Sequence, residues 1–337
     1  MSSPTEELLF DVQNLSVGFQ TPDGYRQIVG GFDLQLRRGE TVAIVGESGS
    51  GKTVSTRALL GLAGDDAVVR ADVLRFGGQS LLDASASELR ALRGAQVGYV
   101  LQDALVSLDP LQPVRREMAE ALHAHARLDA AQTAQRTVEL LADVGVPQPE
   151  VRQHQYPGEL SGGLRQRALI ATALAQNPPV IIADEPTTAL DVTVQAQILA
   201  LMENLVRRFG SALILITHDL AVVSEMTDRV AVMYCGRVVE EGPTRELVHN
   251  PFHPYTKGLL ESIPRLSGER SRRLPQIPGM VPSLFDLPPG CSFAPRCGYA
   301  TELCRKEAPR MRAVAPGRKV SCHNPVQGGE EAEGHGR

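Results

Sequence analysis

Apolar positions in the first 45 residues alternate with polar ones over short distances. Two such runs occupy residues 10–15 and 32–36, where one or two polar side chains separate the apolar ones. Turn-forming pairs stand between and after them, at Asp23-Gly24 and Arg38-Gly39. Short alternating runs bounded by turns are typical of strands with one buried face. The pattern therefore predicts a small antiparallel sheet near the N-terminus.

Uninterrupted aliphatic runs follow and predict strands that are buried on both faces. They occupy residues 41–45, 180–183 and 212–217, and shorter apolar runs lie at 73–76 and 97–101. Segments with helical spacing alternate with these strands, at residues 52–62, 85–92 and 191–209. A hairpin is predicted over residues 230–240. Such alternation predicts an α/β fold with a mixed, mainly parallel sheet.

Two further segments are organised differently. Residues 114–146 have helical periodicity and few β-branched residues, which predicts a helical subdomain of about 104–175 inserted into a core of 8–250. Residues 251–325 hold many of the prolines, and one amphipathic helix is expected around 256–263. They predict a loop-rich C-terminal extension. The polar residues 326–337 are expected to be a disordered tail.

Composition limits the classes of partner. The chain has 337 residues, 42% of them hydrophobic, and a net charge of −5, which argues against nucleic acid as the main partner. The aliphatic run 212–216 is too short to span a bilayer, and the N-terminus lacks the features of a signal peptide. We therefore expect a cytosolic protein, which could still sit on a membrane protein.

The segment Gly46–Thr53, Gly-Glu-Ser-Gly-Ser-Gly-Lys-Thr, carries the clearest chemical signal. Its glycines let consecutive backbone N–H groups turn towards phosphate oxygens. Lys52 adds a positive charge for the outer phosphates, and the Thr53 hydroxyl can bind Mg²⁺. A predicted strand precedes this loop and a predicted helix follows it, so we interpret it as a nucleoside triphosphate site. All eight residues are candidates: Gly46, Glu47, Ser48, Gly49, Ser50, Gly51, Lys52 and Thr53.

Polar residues at the ends of other predicted strands complete a hydrolytic site. Asp184 can hold Mg²⁺ and Glu185 can deprotonate the attacking water. Gln102 could reach the metal or the water, and His218 could donate a hydrogen bond to the γ-phosphate. Taken singly, Gln102 fits a surface residue and His218 a structural one. Phe19 could stack on adenine, with an ordinary core position as the alternative.

Leu160-Ser161-Gly162-Gly163 opens a helix and forms a second anion-binding turn. Because one chain has one phosphate loop, we expect Ser161, Gly162 and Gly163 to cover a nucleotide bound to another subunit.

The order of these motifs resembles ATP-binding cassette (ABC) nucleotide-binding domains. The stretch 182–198 and the segments 250–260 and 290–297 are more narrowly similar to the oligopeptide/dipeptide importer ATPases. The resemblance covers roughly residues 8–325. It implies an ABC-type P-loop NTPase core with an antiparallel β subdomain, a helical subdomain and the C-terminal extension of that subfamily.

The same resemblance implies a role for each matching residue. Glu185 would be the general base, His218 the γ-phosphate switch, and Gln102 a Mg²⁺ sensor that contacts the permease. Asp184 would hold the metal and Phe19 would stack on adenine. Ser161 to Gly163 would face the opposite subunit's nucleotide, with Ala189-Leu190-Asp191 across the dimer seam.

The implied function is ATP hydrolysis coupled to uptake of peptides or similar small solutes. The implied partners are a second, commonly different, ATPase chain, two transmembrane permeases and, indirectly, an extracytoplasmic solute-binding protein. The implied place is peripheral, on the cytoplasmic face of the inner membrane. Nickel, glutathione or opines stay open as cargo. The alternatives of other classes are a soluble non-transport ABC ATPase and an ATP-binding regulatory module.

Four of the five cysteines, Cys291, Cys297, Cys304 and Cys322, lie in the C-terminal extension. Four thiolates that converge from loops can bind an iron–sulfur cluster or zinc, and unligated thiols are the third possibility. The absence of a C-x₂-C pair argues against a zinc ribbon. The resemblance implies a [4Fe–4S] cluster, since some members of the subfamily bind one there. Because this segment lies far along the chain from the nucleotide motifs, we expect it to act in structure or docking.

Overall fold

The computed structural model describes residues 7–22, 24–263 and 276–326. Asp23, the predicted tail from residue 327 onward, and an arginine-containing segment interpreted as a solvated loop lie outside this part of the chain. In the described part, the strands are β1 Leu8–Thr21, β2 Gly24–Arg37, β3 Thr41–Val45, β4 Ala67–Arg70, β5 Val73–Phe76, β6 Gln79–Ser80, β7 Val97–Val100, β8 Val180–Asp184, β9 Ala212–Thr217, β10 Arg229–Tyr234, β11 Arg237–Pro243, β12 Arg312–Ala315 and β13 Arg318–Val320.

The α-helices lie between these strands and after them. They are α1 Lys52–Leu59, α2 Ala86–Leu92, α3 Ala104–Ser107, α4 Val114–His123, α5 Ala130–Asp143, α6 Pro149–Arg152, α7 Gly162–Ala173, α8 Val192–Phe209, α9 Leu220–Met226, α10 Thr244–His249, α11 Pro254–Glu261 and α12 Glu302–Lys306. Short 3₁₀ turns occur at Pro157–Glu159 and Ala294–Arg296.

The predicted antiparallel sheet is present and is built on two long strands. Its order is β2-β1-β5-β6, and β4 pairs with the other part of β1. Phe32, Leu34 and Leu36 are buried while the residues between them are exposed, as the alternating pattern predicts. Strands β1 and β2 have 14 residues each. They are this long because their antiparallel pairing continues through several register shifts instead of ending at them.

The central sheet has the order β12-β13-β11-β10-β3-β9-β8-β7. Its five strands from β10 to β7 are parallel to one another, and every residue of β8 and β9 is buried. The uninterrupted aliphatic runs follow from this double burial. The carboxyl ends of these strands lie along one edge of the sheet, where α/β proteins usually bind ligands.

Helix α8 begins and ends at residues with the expected capping chemistry. Asp191 accepts a hydrogen bond from the Val194 backbone N–H (3.0 Å), and Gly210 ends α8 with a φ of 63°. Helices α3 to α7 lie between β7 and β8 in the chain. Met118 and Leu140 from this insertion pack in one core with residues of α7, α8 and the central sheet.

The C-terminal extension is more closely joined to the core than its loop-rich sequence suggests. Strand β13 pairs with β11, so two strands of the extension lengthen the central sheet. The rings of Tyr255 and Phe293 lie 4.6 Å and 5.2 Å from that of Tyr234 in β10. Val326 is buried and donates its backbone N–H to Phe252 O (2.8 Å), so at least this first residue of the predicted tail is packed.

A buried ion pair fixes the extension to the sheet. Arg318 donates to the Glu240 carboxylate (2.9 Å), and these side chains are 3% and 0% exposed. Glu240 also accepts the backbone N–H groups of Phe252 and His253. One residue further along both strands, Lys319 and Glu241 form a more exposed pair.

We predict that Arg318→Ala lowers the free energy of unfolding by about 3–5 kcal/mol, because it leaves a buried carboxylate without its cation. Lys319→Ala is the matched control and is expected to cost less than about 1 kcal/mol. Urea unfolding measures both values. Equal effects of the two substitutions would contradict the prediction.

Candidate functional site

The phosphate loop connects the end of β3 to the start of α1, as predicted. Gly49 and Gly51 have φ values of 78° and 96°, a region that side chains other than glycine rarely adopt. A Cβ at Gly46 would lie 2.2 Å from the Met233 carbonyl oxygen. All three glycines of the motif are therefore required by backbone geometry or by close packing.

Lys52 is buried beneath this loop. Its side chain is 4% exposed, and Nζ donates to the backbone oxygens of Gly46 (2.8 Å) and Glu47 (3.1 Å). Burial lowers the pKa of Lys52, while the carboxylates of Glu185 and Asp184 oppose that shift. The ammonium group is thus held at the loop by backbone oxygen atoms. It can exchange these hydrogen-bond acceptors for phosphate oxygens.

A carboxylate and a hydroxyl suited to Mg²⁺ meet beside Lys52. Thr53 Oγ1 donates to Asp184 Oδ1 (2.8 Å), and the Tyr99 hydroxyl donates to Asp184 Oδ2 (3.0 Å). Burial raises the pKa of Asp184. A buried carboxylate next to a hydroxyl fits a hard divalent cation that prefers oxygen ligands. Sequence reasoning missed Tyr99, although its pairing with Ile182 on the next strand places it near Asp184.

Glu185 joins the other predicted residues into one cluster. Its carboxylate lies 3.8 Å from Lys52 Nζ and 3.5 Å from His218 Nδ1. Gln102 Nε2 (3.4 Å) and Thr188 Oγ1 (2.9 Å) donate to the same oxygen, Oε2. Gln102, Glu185 and His218, which are distant in sequence, therefore come together as predicted. Thr188 was missed.

Hydrogen bonding from His218 is the main reason that the pKa of Glu185 falls to about 2. The bond with Glu185 also raises the pKa of His218. In this arrangement Glu185 is ionised but a weak base. Its basicity would increase if the imidazole left it for another acceptor.

The four cysteines of the extension line one small pocket together with His253 and Asn324. Burial raises the pKa of Cys322 to about 12, and the other three thiols add to the shift. Among the residues that the structure describes, no three His, Cys, Asp or Glu side chains are arranged to hold a single metal ion. The cysteines thus converge, but not in the geometry of a zinc site.

Sequence comparison matches two families. Residues 29–188 match the family described as ABC transporter, and residues 239–304 match the oligopeptide/dipeptide transporter C-terminal region. The oligopeptide transport ATP-binding protein OppD of Salmonella typhimurium is 44% identical over 320 residues, which cover 95% of each chain. The dipeptide transport ATP-binding protein DppD of Escherichia coli is 44% identical over 94% of this chain and 97% of its own. The chain belongs to the ABC transporter family.

Solved structures agree with this assignment. A dimeric bacterial ABC transporter cassette has a TM-score of 0.63 and 27% identity, covering 70% of this chain and 99% of its own. A dimeric ATP-binding cassette bound to ADP and Pi, in a post-hydrolysis state, has a TM-score of 0.61 and 28% identity, with the same coverage. The ABC cassette fold predicted from the sequence is confirmed. No helix in the described residues has both the length and the hydrophobicity needed to cross a bilayer.

Two further elements expected in an ABC cassette are carried by β1 and by the start of α7. Phe19 is half-buried on β1, opposite Arg26 of β2. Ser161 caps α7 by accepting from the Leu164 N–H (3.4 Å), and its side chain is exposed. Gly162 and Gly163 follow it as the first residues of α7. Their assignment to adenine and to a partner's nucleotide stays a prediction.

The C-terminal extension contacts the phosphate loop directly. Arg296 donates two hydrogen bonds to the Glu47 carboxylate (2.7 Å and 3.0 Å), and the Tyr255 hydroxyl accepts the Glu47 backbone N–H (2.9 Å). The cysteine-bearing segment, which is far along the chain from the nucleotide motifs, is thus in contact with one of them in space, and its expected role in structure or docking stays a prediction. Sequence reasoning missed Arg296 and Tyr255, because 249 residues separate Arg296 from Glu47.

We predict that His218→Ala removes a pH-dependent stabilisation of the nucleotide-free chain. The raised pKa of His218 stabilises the fold below pH 6.5, and this contribution disappears as pH rises through the folded-state value. The lowered pKa of Glu185 stabilises it above pH 4.5, and this is lost as pH falls towards 2. The Tm of His218→Ala should therefore fall furthest below that of the wild type between pH 4.5 and pH 6.5. His154→Ala, at an exposed position, is the control, and a pH-independent loss for His218→Ala would contradict the prediction.

Proposed function

We propose that this chain is the ATP-hydrolysing subunit of an ABC importer for peptides. The observation that carries the proposal is the position of the Glu185 carboxylate. It contacts Lys52 of the phosphate loop, Gln102 and His218. Its similarity to OppD and DppD along nearly the whole chain supports peptides as cargo. Nickel, glutathione and opines are the alternative solutes.

Each residue near the loop has a proposed part in ATP binding. Residues 46–53 receive the phosphates, and Lys52 exchanges its backbone acceptors for phosphate oxygens. Thr53 and Asp184 hold Mg²⁺, with Gln102 as a further ligand or sensor. Bound Mg²⁺ supplies charge neutralisation at the phosphate oxygens. Phe19 provides a half-buried ring on the neighbouring sheet for adenine.

Glu185 is the proposed general base, and His218 controls it. While His218 bonds to Glu185, the carboxylate holds protons too weakly to activate water well. The γ-phosphate of ATP offers His218 another hydrogen-bond acceptor. When His218 bonds to the phosphate instead of to Glu185, the basicity of Glu185 rises. Water activation would then depend on the presence of ATP.

The second half of the site is proposed to come from another subunit. Ser161 to Gly163 would cover a nucleotide held by a partner ATPase. In the resembling subfamily this partner is more often a different chain than a second copy of the same chain. The packing supports one continuous surface here, because a Cβ on Gly162 would contact Leu190 at 3.3 Å and one on Gly163 would press on Val194 at 2.8 Å. The Ala189-Leu190-Asp191 segment at the proposed dimer seam is thereby joined to the Ser161 turn.

The wider assembly follows from the same proposal. Residues 8–250 would form the nucleotide-binding domain, with residues 104–175 as the helical part near the permeases, and 251–325 the extension. Two transmembrane permeases and an extracytoplasmic solute-binding protein would complete the importer. The chain would lie at the cytoplasmic face of the inner membrane.

A [4Fe–4S] cluster is proposed for the cysteine pocket. Convergence of the four thiols on one pocket supports it, because four cysteines are the ligand set of such a cluster; two of them are buried and two are partly buried. Cys291, Cys297, Cys304 and Cys322 would be its ligands.

We predict that Glu185→Gln lowers ATP turnover about 100-fold or more while ATP binding persists, because the amide cannot accept the proton of water. Phosphate release is measured with the chain in its transporter complex in vesicles, with and without peptide-loaded binding protein. Glu203→Gln, at a partly exposed carboxylate of α8 that pairs with Arg207, is the control. Normal turnover in the Glu185 variant would refute the general base. Absence of turnover in the wild-type complex would favour the regulatory module instead.

The cluster proposal predicts iron and a broad visible absorption in protein purified without oxygen. Cys297→Ser should lower both, because it removes one thiolate ligand. Cys235→Ser is the matched control, since this buried cysteine lies outside the pocket. Iron-free protein with an intact fold and full turnover would overturn the cluster.

A further inference from the structure

Glu47 is the only acidic residue of the phosphate loop, and its side chain turns towards the C-terminal extension. Arg296 meets it with two parallel contacts, Nη1 to Oε2 at 2.7 Å and Nη2 to Oε1 at 3.0 Å. The Arg296 side chain is 4% exposed and that of Glu47 is 29% exposed. Paired contacts of this kind fix the geometry of both groups, which a single contact does not.

The Arg296 side chain is itself held from several directions. Its Nε donates to the Pro278 carbonyl (3.0 Å), and Nη1 lies 3.4 Å from the Tyr234 hydroxyl. The guanidinium carbon lies 5.8 Å from the centre of the Tyr234 ring and 6.0 Å from that of Phe293. Glu47 is the main reason that the pKa of Arg296 lies above its ordinary value. The arginine is therefore a fixed positive charge behind the loop.

Tyr255 fixes the backbone of the same loop residue. Its hydroxyl accepts the Glu47 N–H at 2.9 Å, and its ring is fully buried against Tyr234 and Phe293. Side chain and backbone of Glu47 are thus both held by residues of the extension.

The charge of Glu47 acts on the nucleotide site. Its carboxylate is close enough to Lys52 to influence the pKa of that ammonium group. A carboxylate without a cation at this position would repel the triphosphate that Lys52 attracts. Arg296 neutralises it before the nucleotide arrives.

We propose that the C-terminal extension positions the phosphate loop for ATP. Arg296 neutralises and orients Glu47, and Tyr255 holds its backbone, so the affinity for ATP depends on a segment far along the chain. Arg296 is a positioning residue and does not touch the nucleotide. Because Cys297 follows it directly, the shape of the cysteine-bearing turn is linked to that of the loop. The inference rests on the proposed function only in that the loop binds ATP.

The test measures the equilibrium Kd for MgATP on the full-length chain. Arg296→Gln should raise the Kd about ten-fold, because it leaves Glu47 as an unpaired negative charge beside the phosphates. The double variant Glu47→Gln, Arg296→Gln should bind MgATP within about three-fold of the wild type, because no charge is left unpaired and two amides can still bond. Arg305→Gln removes an equal charge from an exposed position of the same extension and should leave the Kd unchanged.

Salt dependence separates charge neutralisation from a loss of fold. The defect of Arg296→Gln should shrink as ionic strength rises, because mobile ions screen the free carboxylate. Thermal unfolding is recorded for each variant, and restored ATP binding without restored Tm in the double variant would assign the effect to charge. Tyr255→Phe keeps the ring packing and should raise the Kd by removing the bond to the Glu47 N–H.

Three outcomes would overturn the inference. Wild-type affinity in Arg296→Gln would show that the loop does not need the arginine. A double variant as weak as Arg296→Gln, or a defect that salt does not change, would show that charge is not the cause. A wild-type chain that does not bind MgATP would instead contradict the proposed function and this inference together.

Discussion

A loop that binds triphosphate with its backbone N–H groups cannot use most of them to hold its own shape, so that shape has to be maintained by neighbouring groups. In this chain the support comes from three directions. Buried strand β3 leads into the loop, the Gly236 N–H of the β10–β11 turn donates to Ser50 O (2.9 Å), and Arg296 with Tyr255 holds Glu47. The central sheet and the extension therefore both support the loop.

The charges around the loop form a second level of organisation. Lys52 lies near the carboxylates of Asp184 and Glu185, and His218 contacts Glu185, so these acidic and basic groups interact before nucleotide binds. ATP brings negative oxygens that compete for the same lysine and histidine. In the proposed mechanism, binding would rearrange the existing pairs and change the basicity of Glu185 as it does so. That exchange of partners would couple recognition of ATP to activation of water.

Sequence patterns predicted the elements in which one local signal decides the outcome. The cap at Asp191, the stop at Gly210 and the buried runs of β3 and β9 are each specified by adjacent residues. Convergence of Gln102, Glu185 and His218 was also predictable, because parallel strands bring their carboxyl ends to one edge. The Glu47–Arg296 pair was not, since neither residue carries a local signal for a partner 249 positions away. The three-residue strand β13 could not be predicted for the same reason, because it depends on its pairing with β11 and not on a pattern in its own sequence.

The extension also changes how the cysteine pocket is understood. From sequence it was a separate, loop-rich appendage, but Tyr255, Phe293 and Arg296 place its core against β10 and the phosphate loop. A group bound by the cysteines would stabilise the turn that carries Arg296, because Cys291 and Cys297 flank it. The free energy of such binding would then contribute to keeping the loop in its receptive shape. The phosphate loop and the cysteine pocket, which are far apart in sequence, thus share the turn that carries Arg296 as a support.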